Sequence, residues 1–90
     1  MLKEAYHPNA YLTNIRNVKL GLKARTKILK VLESRSLETK NIAREAGLHY
    51  HVVRYHLKLL EKEGIVQRKG SRPYVWGLTG LGQKRLVDLR

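Results

Sequence analysis

Residues 47–66 read Gly-Leu-His-Tyr-His-Val-Val-Arg-Tyr-His-Leu-Lys-Leu-Leu-Glu-Lys-Glu-Gly-Ile-Val, and this stretch decides the fold. At helical spacing, its apolar residues recur at i, i+4 and i+7 and form one narrow stripe: Val53, Leu57 and Leu60. Gly64 is expected to end the helix, because glycine enters the left-handed conformation without a Cβ penalty. The pattern predicts an amphipathic helix over 49–63.

A shorter helical pattern precedes this helix and covers residues 38–46. Its candidate core residues are Ile42, Ala43 and Ala46. The pair Gly47-Leu48 then makes a tight turn into the longer helix. Two helices joined by a glycine-bearing turn of three or four residues form a helix-turn-helix, whose second helix usually enters the major groove of DNA. The sequence therefore predicts a helix-turn-helix.

Two further helices are predicted ahead of this pair. The first core helix covers 22–34, because its apolar residues share one face: Ala24, Ile28, Val31 and Leu32. Asn9 is a candidate N-cap for an N-terminal helix over 9–20. Apolar residues recur along that segment at helical spacings: Tyr11, Ile15, Val18 and Leu22. Two roles stay open for this N-terminal helix, contact with a second subunit and packing on its own domain.

The sequence after the helix pair predicts a small sheet. The segment 65–79 reads as two strands around the connector Gly70-Ser71-Arg72-Pro73, whose glycine and proline predict a hairpin. Leu37 is expected to add a short strand to the same sheet. A final helix is predicted over 80–90, with Thr79 as its cap.

These segments together resemble winged helix-turn-helix regulators, most closely the small ArsR- and MarR-like regulators common in archaea. The resemblance rests on Ile42-Ala43, Gly47-Leu48 and above all the run from Val53 to Val66, and it extends from about Leu22 to Leu86. It implies an α+β, mainly helical, single domain over 1–90. It also implies a two- to three-stranded antiparallel wing and extra N- and C-terminal helices. Metal-sensing ArsR relatives use thiolates, and this chain has no cysteine.

The charge of the chain points to a polyanionic partner. Nineteen Lys and Arg oppose seven Asp and Glu, a net charge of +12. A basic surface that serves only solubility is the alternative. No membrane contact is expected, because no apolar run approaches the roughly 18 residues of a membrane span. We therefore expect a cytoplasmic, nucleoid-associated protein.

The polar side of the helix over 49–63 carries the candidate DNA-binding residues His49, Tyr50, His51, Arg54, Tyr55 and Lys58. Arg54 is the best candidate for reading a base, because its guanidinium can donate hydrogen bonds to guanine O6 and N7 at once. Such a pair of bonds contributes ~1–3 kcal/mol of discrimination between bases. Lys58 is expected to reach a phosphate. Two structural alternatives stay open. Tyr55 could pack against the wing, and Arg54 could pair with Glu61 or Glu63, although two helical turns separate Arg54 from Glu61.

The wing carries a second set of candidate DNA-binding residues: Arg68, Lys69, Ser71 and Arg72. Arg72 is expected to enter the minor groove, with Arg68 and Lys69 against phosphates. The alternative is a hairpin tip that is polar only because it is exposed. A broader basic surface is expected from Lys23, Arg25, Lys27 and Lys40. Tyr74 and Trp76 are interpreted as core residues.

Three histidines fall within eight residues: His49, His51 and His56. Their offsets lack the i, i+4 pair that zinc-binding helices use, so no metal and no cofactor are expected. His56 is interpreted as a hydrogen-bonded, half-buried residue. No enzyme activity is expected, because the one close carboxylate pair, Glu61 and Glu63, lies on opposite sides of a helix end.

The leading hypothesis is a sequence-specific regulator of transcription that binds double-stranded DNA, with repression as its simplest action. We expect a homodimer that reads a pseudo-palindrome. The sequence identifies no small-molecule effector. Two alternatives remain, an architectural chromatin protein that does not choose sequence and a winged-helix subunit that contacts other proteins in a larger assembly.

Overall fold

The computed structural model of the protein describes residues 6–13 and 17–80. Its elements, in chain order, are a 3-10 turn at Pro8–Ala10, helix α1 at Lys19–Leu32, strand β1 at Leu37–Glu38, helix α2 at Thr39–Ala46, helix α3 at Tyr50–Lys62, strand β2 at Val66–Lys69 and strand β3 at Val75–Leu78. Three helices and a small antiparallel sheet make the predicted mainly helical winged-helix fold. That prediction is confirmed.

The sheet joins the start of the helix-turn-helix to the hairpin that follows it. Its strand order is β1-β3-β2, and both pairings are antiparallel. Leu37 of β1 pairs with Trp76 of β3, which confirms the short strand expected at Leu37. The hairpin of β2 and β3, with its connection over 70–74, is called the wing below.

The core lies where the three helices meet the sheet. The predicted stripe of α3 is fully buried, since Val53, Leu57 and Leu60 are each 0% exposed. Facing it are fully buried residues of the other helices: Ile28, Leu29 and Ile42. Truncation of such a leucine to alanine typically costs ~2–5 kcal/mol. The buried stripe therefore fixes which side of α3 remains on the surface.

The turn between α2 and α3 depends on one glycine. Gly47 follows α2 with a φ of 68°, in the left-handed region that glycine enters readily. Its N–H lies against the carbonyl oxygens of Ala43 and Arg44 and closes the end of the helix. The predicted glycine-bearing turn of the helix-turn-helix is therefore present.

The prediction of an N-terminal helix over 9–20 is wrong: within the described residues of that segment, no α-helix precedes α1. Only Pro8–Ala10 forms a 3-10 turn, residues 11–13 and 17–18 are not helical, and α1 begins at Lys19. The Asn17 side chain accepts from the N–H of Leu12 at 2.8 Å and donates to its carbonyl at 2.9 Å. Asparagine side chains compete with helical backbone bonds in this way.

Residues 6–13 with Asn17 form an N-terminal arm that packs on the domain. The backbone N–H of His7 donates to Thr26 Oγ1 at 2.9 Å, and His7 Nε2 lies 2.7 Å from Glu33 Oε2. Thr13 Oγ1 donates to the carboxylate of Glu63 near the end of α3. Ala10 of the arm is completely buried. The arm thus contributes Ala10 and Leu12 to the core.

The helix predicted over 80–90 lies outside the described residues, apart from Gly80. In the part of the chain that the structure describes, no helix has the length and apolar character needed to cross a membrane.

Candidate nucleic-acid interface

An open groove of about 690 Å³ lies between α3 and the wing and extends to the start of α2. We call it the α3–wing groove. Its lining residues are Glu38, Thr39, Lys40, Tyr50, Arg54, Lys58, Arg68, Arg72, Pro73, Tyr74 and Trp76. Among these described residues, five side chains are cationic and one is a carboxylate. Three separate elements therefore bring positive charge to one concave surface.

The outward side of α3 forms one wall of the groove. Tyr50, Arg54 and Lys58 follow one another at intervals of four residues, which places them on one stripe of the helix. Tyr55 is 59% exposed, so it is not buried beneath the wing. It lies outside the groove lining. Of the residues predicted on α3, three therefore share the groove.

The two exposed histidines lie at the start of α3. The His49 and His51 rings are stacked, with centroids 5.3 Å apart. His49 is the N-cap residue of α3, and its Nδ1 accepts from the backbone N–H of His51 at 3.4 Å. Neither histidine lines the groove, and among the described residues no group of three or more His, Asp or Glu is arranged to hold a metal.

The structure gives Arg54 no ion pair within residues 6–13 and 17–80. Its two suggested partners are engaged elsewhere, because Glu61 Oε2 lies 3.2 Å from Arg68 Nε and Glu63 accepts from Thr13. The guanidinium of Arg54 is consequently available to a ligand in the groove. This geometry disfavours the ion-pair alternative raised by the sequence.

The wing wall of the groove is built around Arg68. The Arg68 guanidinium carbon lies 4.9 Å from the centroid of the Tyr74 ring and 5.8 Å from that of Trp76, both within cation–π range. With Glu61 on its Nε, Arg68 is held in place along the wall. Arg72 also lines the groove. Lys69 and Ser71 are exposed on the wing and lie outside the lining.

Trp76 fixes the wing to the start of α2. It is 5% exposed, which confirms its predicted place in the core, and its indole N–H donates to Thr39 Oγ1 at 3.0 Å. Tyr74 is only half-buried and lines the groove. Two groove residues at the start of α2 were missed by the sequence prediction, Glu38 and Thr39, and Lys40, expected only on a broader basic surface, lies with them beside the wing. The expected strand at Leu37 was the signal that could have placed the start of α2 beside the wing.

Arg25 was expected on the basic surface, and this is wrong, since it is 3% exposed. Its guanidinium donates to Ala10 O at 2.6 Å, to Asn17 Oδ1 at 3.2 Å and to His56 Nδ1 at 3.2 Å. These acceptors satisfy the guanidinium in the interior, beneath the N-terminal arm.

Burial, and secondarily the Arg25 charge, lowers the pKa of His56 to about 4. His56 is therefore neutral near pH 7, and it is more deeply buried than expected.

The fold and the cationic groove define a winged-helix DNA-binding domain. Residues 10–81 match the family model of the FaeA-like proteins, and the chain belongs to that family. A similar solved structure is the Zalpha domain of PKZ from Carassius auratus in complex with Z-DNA. The TM-score is 0.58 and the identity 31%, over 63% of this chain and 92% of that domain.

No curated protein matches the chain. The two comparisons support the winged-helix class and do not support the finer ArsR- or MarR-like subtype.

Proposed function

We propose that this protein is a sequence-specific, double-stranded-DNA-binding regulator of transcription that represses by occluding a promoter. The observation that carries the proposal is the convergence of cationic side chains from α2, α3 and the wing on one groove. A basic surface that serves only solubility would not require cationic side chains from three elements to line one groove. DNA phosphates are the ligand that this arrangement fits.

Arg54 is proposed as the main base reader. It lines the groove from the exposed side of α3, and within the described residues no carboxylate neutralises it. A guanidinium can bond guanine O6 and N7 together, whereas Lys58 offers a compact charge better suited to phosphate. Tyr50, on the same stripe, adds a hydroxyl that can contact a base edge or the backbone.

The other predicted residues are proposed to surround this central contact. Arg68 and Arg72 approach from the wing, and Lys40 approaches from α2. His49, His51 and Tyr55 are exposed on α3 outside the groove lining, and Lys69 and Ser71 are exposed on the wing outside it. Contacts from this second group would reach the flanking backbone.

In vitro selection from random duplexes, followed by footprinting and competition, tests the proposal. A regulator should prefer its selected site ~10³-fold or more over random DNA. Its log affinity should fall with log salt by ~0.9 per phosphate neutralised. Near parity between selected and random duplexes would instead identify an architectural protein. Weak binding even at low salt would identify a protein-interaction subunit.

A homodimer is part of the proposal and has its own test. Two copies on a pseudo-palindrome would place half-sites ~34–36 Å apart, one turn of the duplex. Mass measurement in solution, with and without the selected duplex, gives the number of copies. A single copy on a single protected half-site would refute the dimer and leave the DNA-binding proposal intact.

A second candidate function is recognition of left-handed DNA. It is favoured by the similarity to the PKZ Zalpha domain, whose structure is a complex with Z-DNA. The circular dichroism of an alternating dC-dG duplex separates the two candidates. Inversion of its spectrum on addition of the protein supports Z-DNA binding. A right-handed spectrum that persists at saturation supports the first candidate.

A further inference from the structure

Glu38 is the single carboxylate among the described residues that line the α3–wing groove. Every other described glutamate has a partner in the protein: Glu33 with His7, Glu45 with Arg35, Glu61 with Arg68 and Glu63 with Thr13. Within the same described residues, the Glu38 side chain makes no ion pair, and it does not cap α2. An acceptor thus stands without a partner in a groove rich in cations.

The position of Glu38 is fixed by its neighbours in the sheet. Its backbone pairs with Val75 in the β1–β3 ladder, and the adjacent Thr39 accepts the indole N–H of Trp76 at 3.0 Å. Leu37, the preceding residue, packs against the core. Successive side chains in a strand point to opposite faces, so Glu38 faces the groove. The pairing of β1 with β3 therefore fixes the backbone that carries the carboxylate.

An ionised carboxylate only accepts hydrogen bonds, and it repels phosphate. A nucleic acid that contacts Glu38 in this groove must consequently present an N–H donor to it. On the major-groove edge, the cytosine N4 amino group has an acceptor on one side only, O6 of the paired guanine, whereas the adenine N6 amino group lies between two acceptors, its own N7 and O4 of the paired thymine. The acceptor N7 would oppose the carboxylate. Cytosine is therefore the base that suits Glu38 best.

We propose that Glu38 is a specificity-determining residue that accepts a hydrogen bond from the N4 amino group of a cytosine. The inference rests on the proposed function, because it needs duplex DNA in the α3–wing groove. Glu38 and Arg54 line this groove with opposite hydrogen-bonding roles. Arg54 donates to guanine and Glu38 accepts from cytosine, so the site should favour G·C pairs at defined positions.

The test uses the full chain and the duplex that the wild-type protein selects. Each position of the duplex is changed in turn to all four base pairs, and affinities are measured for wild type, Glu38→Ala and Glu38→Gln. Glu45→Ala is the matched control, because it removes the same charge from the exposed pair with Arg35, outside the groove. Thermal unfolding shows that each variant is folded.

Glu38→Ala should reduce the preference for cytosine at one position by ~5- to 150-fold, while preferences elsewhere persist. Glu38→Gln, which keeps an acceptor and is the alternative where the alanine variant fails to fold, should reduce it less. Glu45→Ala should reproduce the wild-type preferences.

An equal gain in affinity for every duplex with Glu38→Ala would overturn the proposal, because Glu38 would then only repel phosphate. Unchanged preferences would also overturn it. A wild-type protein that binds no duplex at low salt would refute the proposed function, and the inference with it.

Discussion

Arg25 of α1 donates a hydrogen bond from Nη1 to Nδ1 of His56, on the buried side of α3, over 3.2 Å. Both side chains are nearly inaccessible, at 3% and 8% exposure. The same guanidinium binds Ala10 O in the N-terminal arm. One buried cation therefore connects the arm, the first helix and the inner side of the helix whose outer side lines the groove.

This connection predicts that the protein loses stability in acid. The folded pKa of His56 is about 4, while an unfolded histidine titrates near 6.5. Between these values the unfolded state binds more protons, so the free energy of unfolding falls as pH falls. The contribution of the neutral His56 to the free energy of unfolding is fully present above pH 6.5 and declines by about 3 kcal/mol by pH 4. Urea denaturation at pH 7, 5 and 4 measures this decline.

His56→Asn is the variant that assigns the decline. Asparagine keeps an acceptor near the position of Nδ1 and does not titrate, so its stability should fall less between pH 7 and 4. His7, whose pKa is also lowered by burial, adds a loss of the same sign in both proteins. His49→Asn, at an exposed site, is the control. An equal loss in wild type and His56→Asn would remove His56 as the cause.

Gly21 leaves the space that the Arg25 guanidinium occupies. A Cβ on Gly21 would lie 2.9 Å from Arg25 Nη1, closer than ordinary contact allows. An alanine in a helix usually gains up to ~1 kcal/mol over glycine. Gly21→Ala should instead show no gain or a net loss in urea denaturation, because Arg25 is held by its acceptors.

A double-mutant cycle checks the cause of that lost gain. In an Arg25→Ala background, Gly21→Ala should recover a gain of up to ~1 kcal/mol, because the guanidinium atoms nearest the new methyl group are then absent. Lys27→Ala, at an exposed position of α1, should combine additively with Gly21→Ala. Strict additivity of Gly21→Ala with Arg25→Ala would show that the two residues do not compete for space.

The helix-turn-helix and the wing were predictable because local patterns determine them. The apolar spacing of Val53, Leu57 and Leu60 already defines which side of α3 is buried. The N-terminal arm was not predictable in this way. Its helical spacing is overridden by Asn17, which bonds the backbone of Leu12, and by Arg25, which draws the arm inward.

In the candidate site, too, the residues set by helical periodicity were predictable and those set by contacts between distant residues were not. Arg54 and Lys58 line the groove because both lie opposite the buried stripe, which the sequence alone shows. The burial of Arg25 depends on His56, 31 residues away, and the place of Glu38 depends on pairing with Val75. Such contacts between distant residues leave no periodic pattern in the sequence.

Arg54→Ala is expected to weaken binding to the selected duplex by ~5- to 150-fold and to relax base preference at one position. The reason is the loss of the bidentate hydrogen bonds to O6 and N7 that distinguish guanine from the other bases. Arg44→Ala removes an equal charge from an exposed site on α2 outside the groove, so it should preserve selectivity. Competition binding measures both. Wild-type affinity and selectivity in Arg54→Ala would show that Arg54 reads no base.

Arg72 allows the wing to be tested separately from α3. Its side chain lines the groove, and the wing carrying it is fixed through Trp76 and Thr39. If Arg72 neutralises one phosphate, Arg72→Gln should reduce the slope of log affinity against log salt by ~0.9, for selected and random duplexes alike. Lys27→Gln, on the exposed side of α1 and outside the groove, should reduce it less. Equal effects of the two substitutions would indicate that net charge alone attracts DNA, and the wing would then have no specific contact.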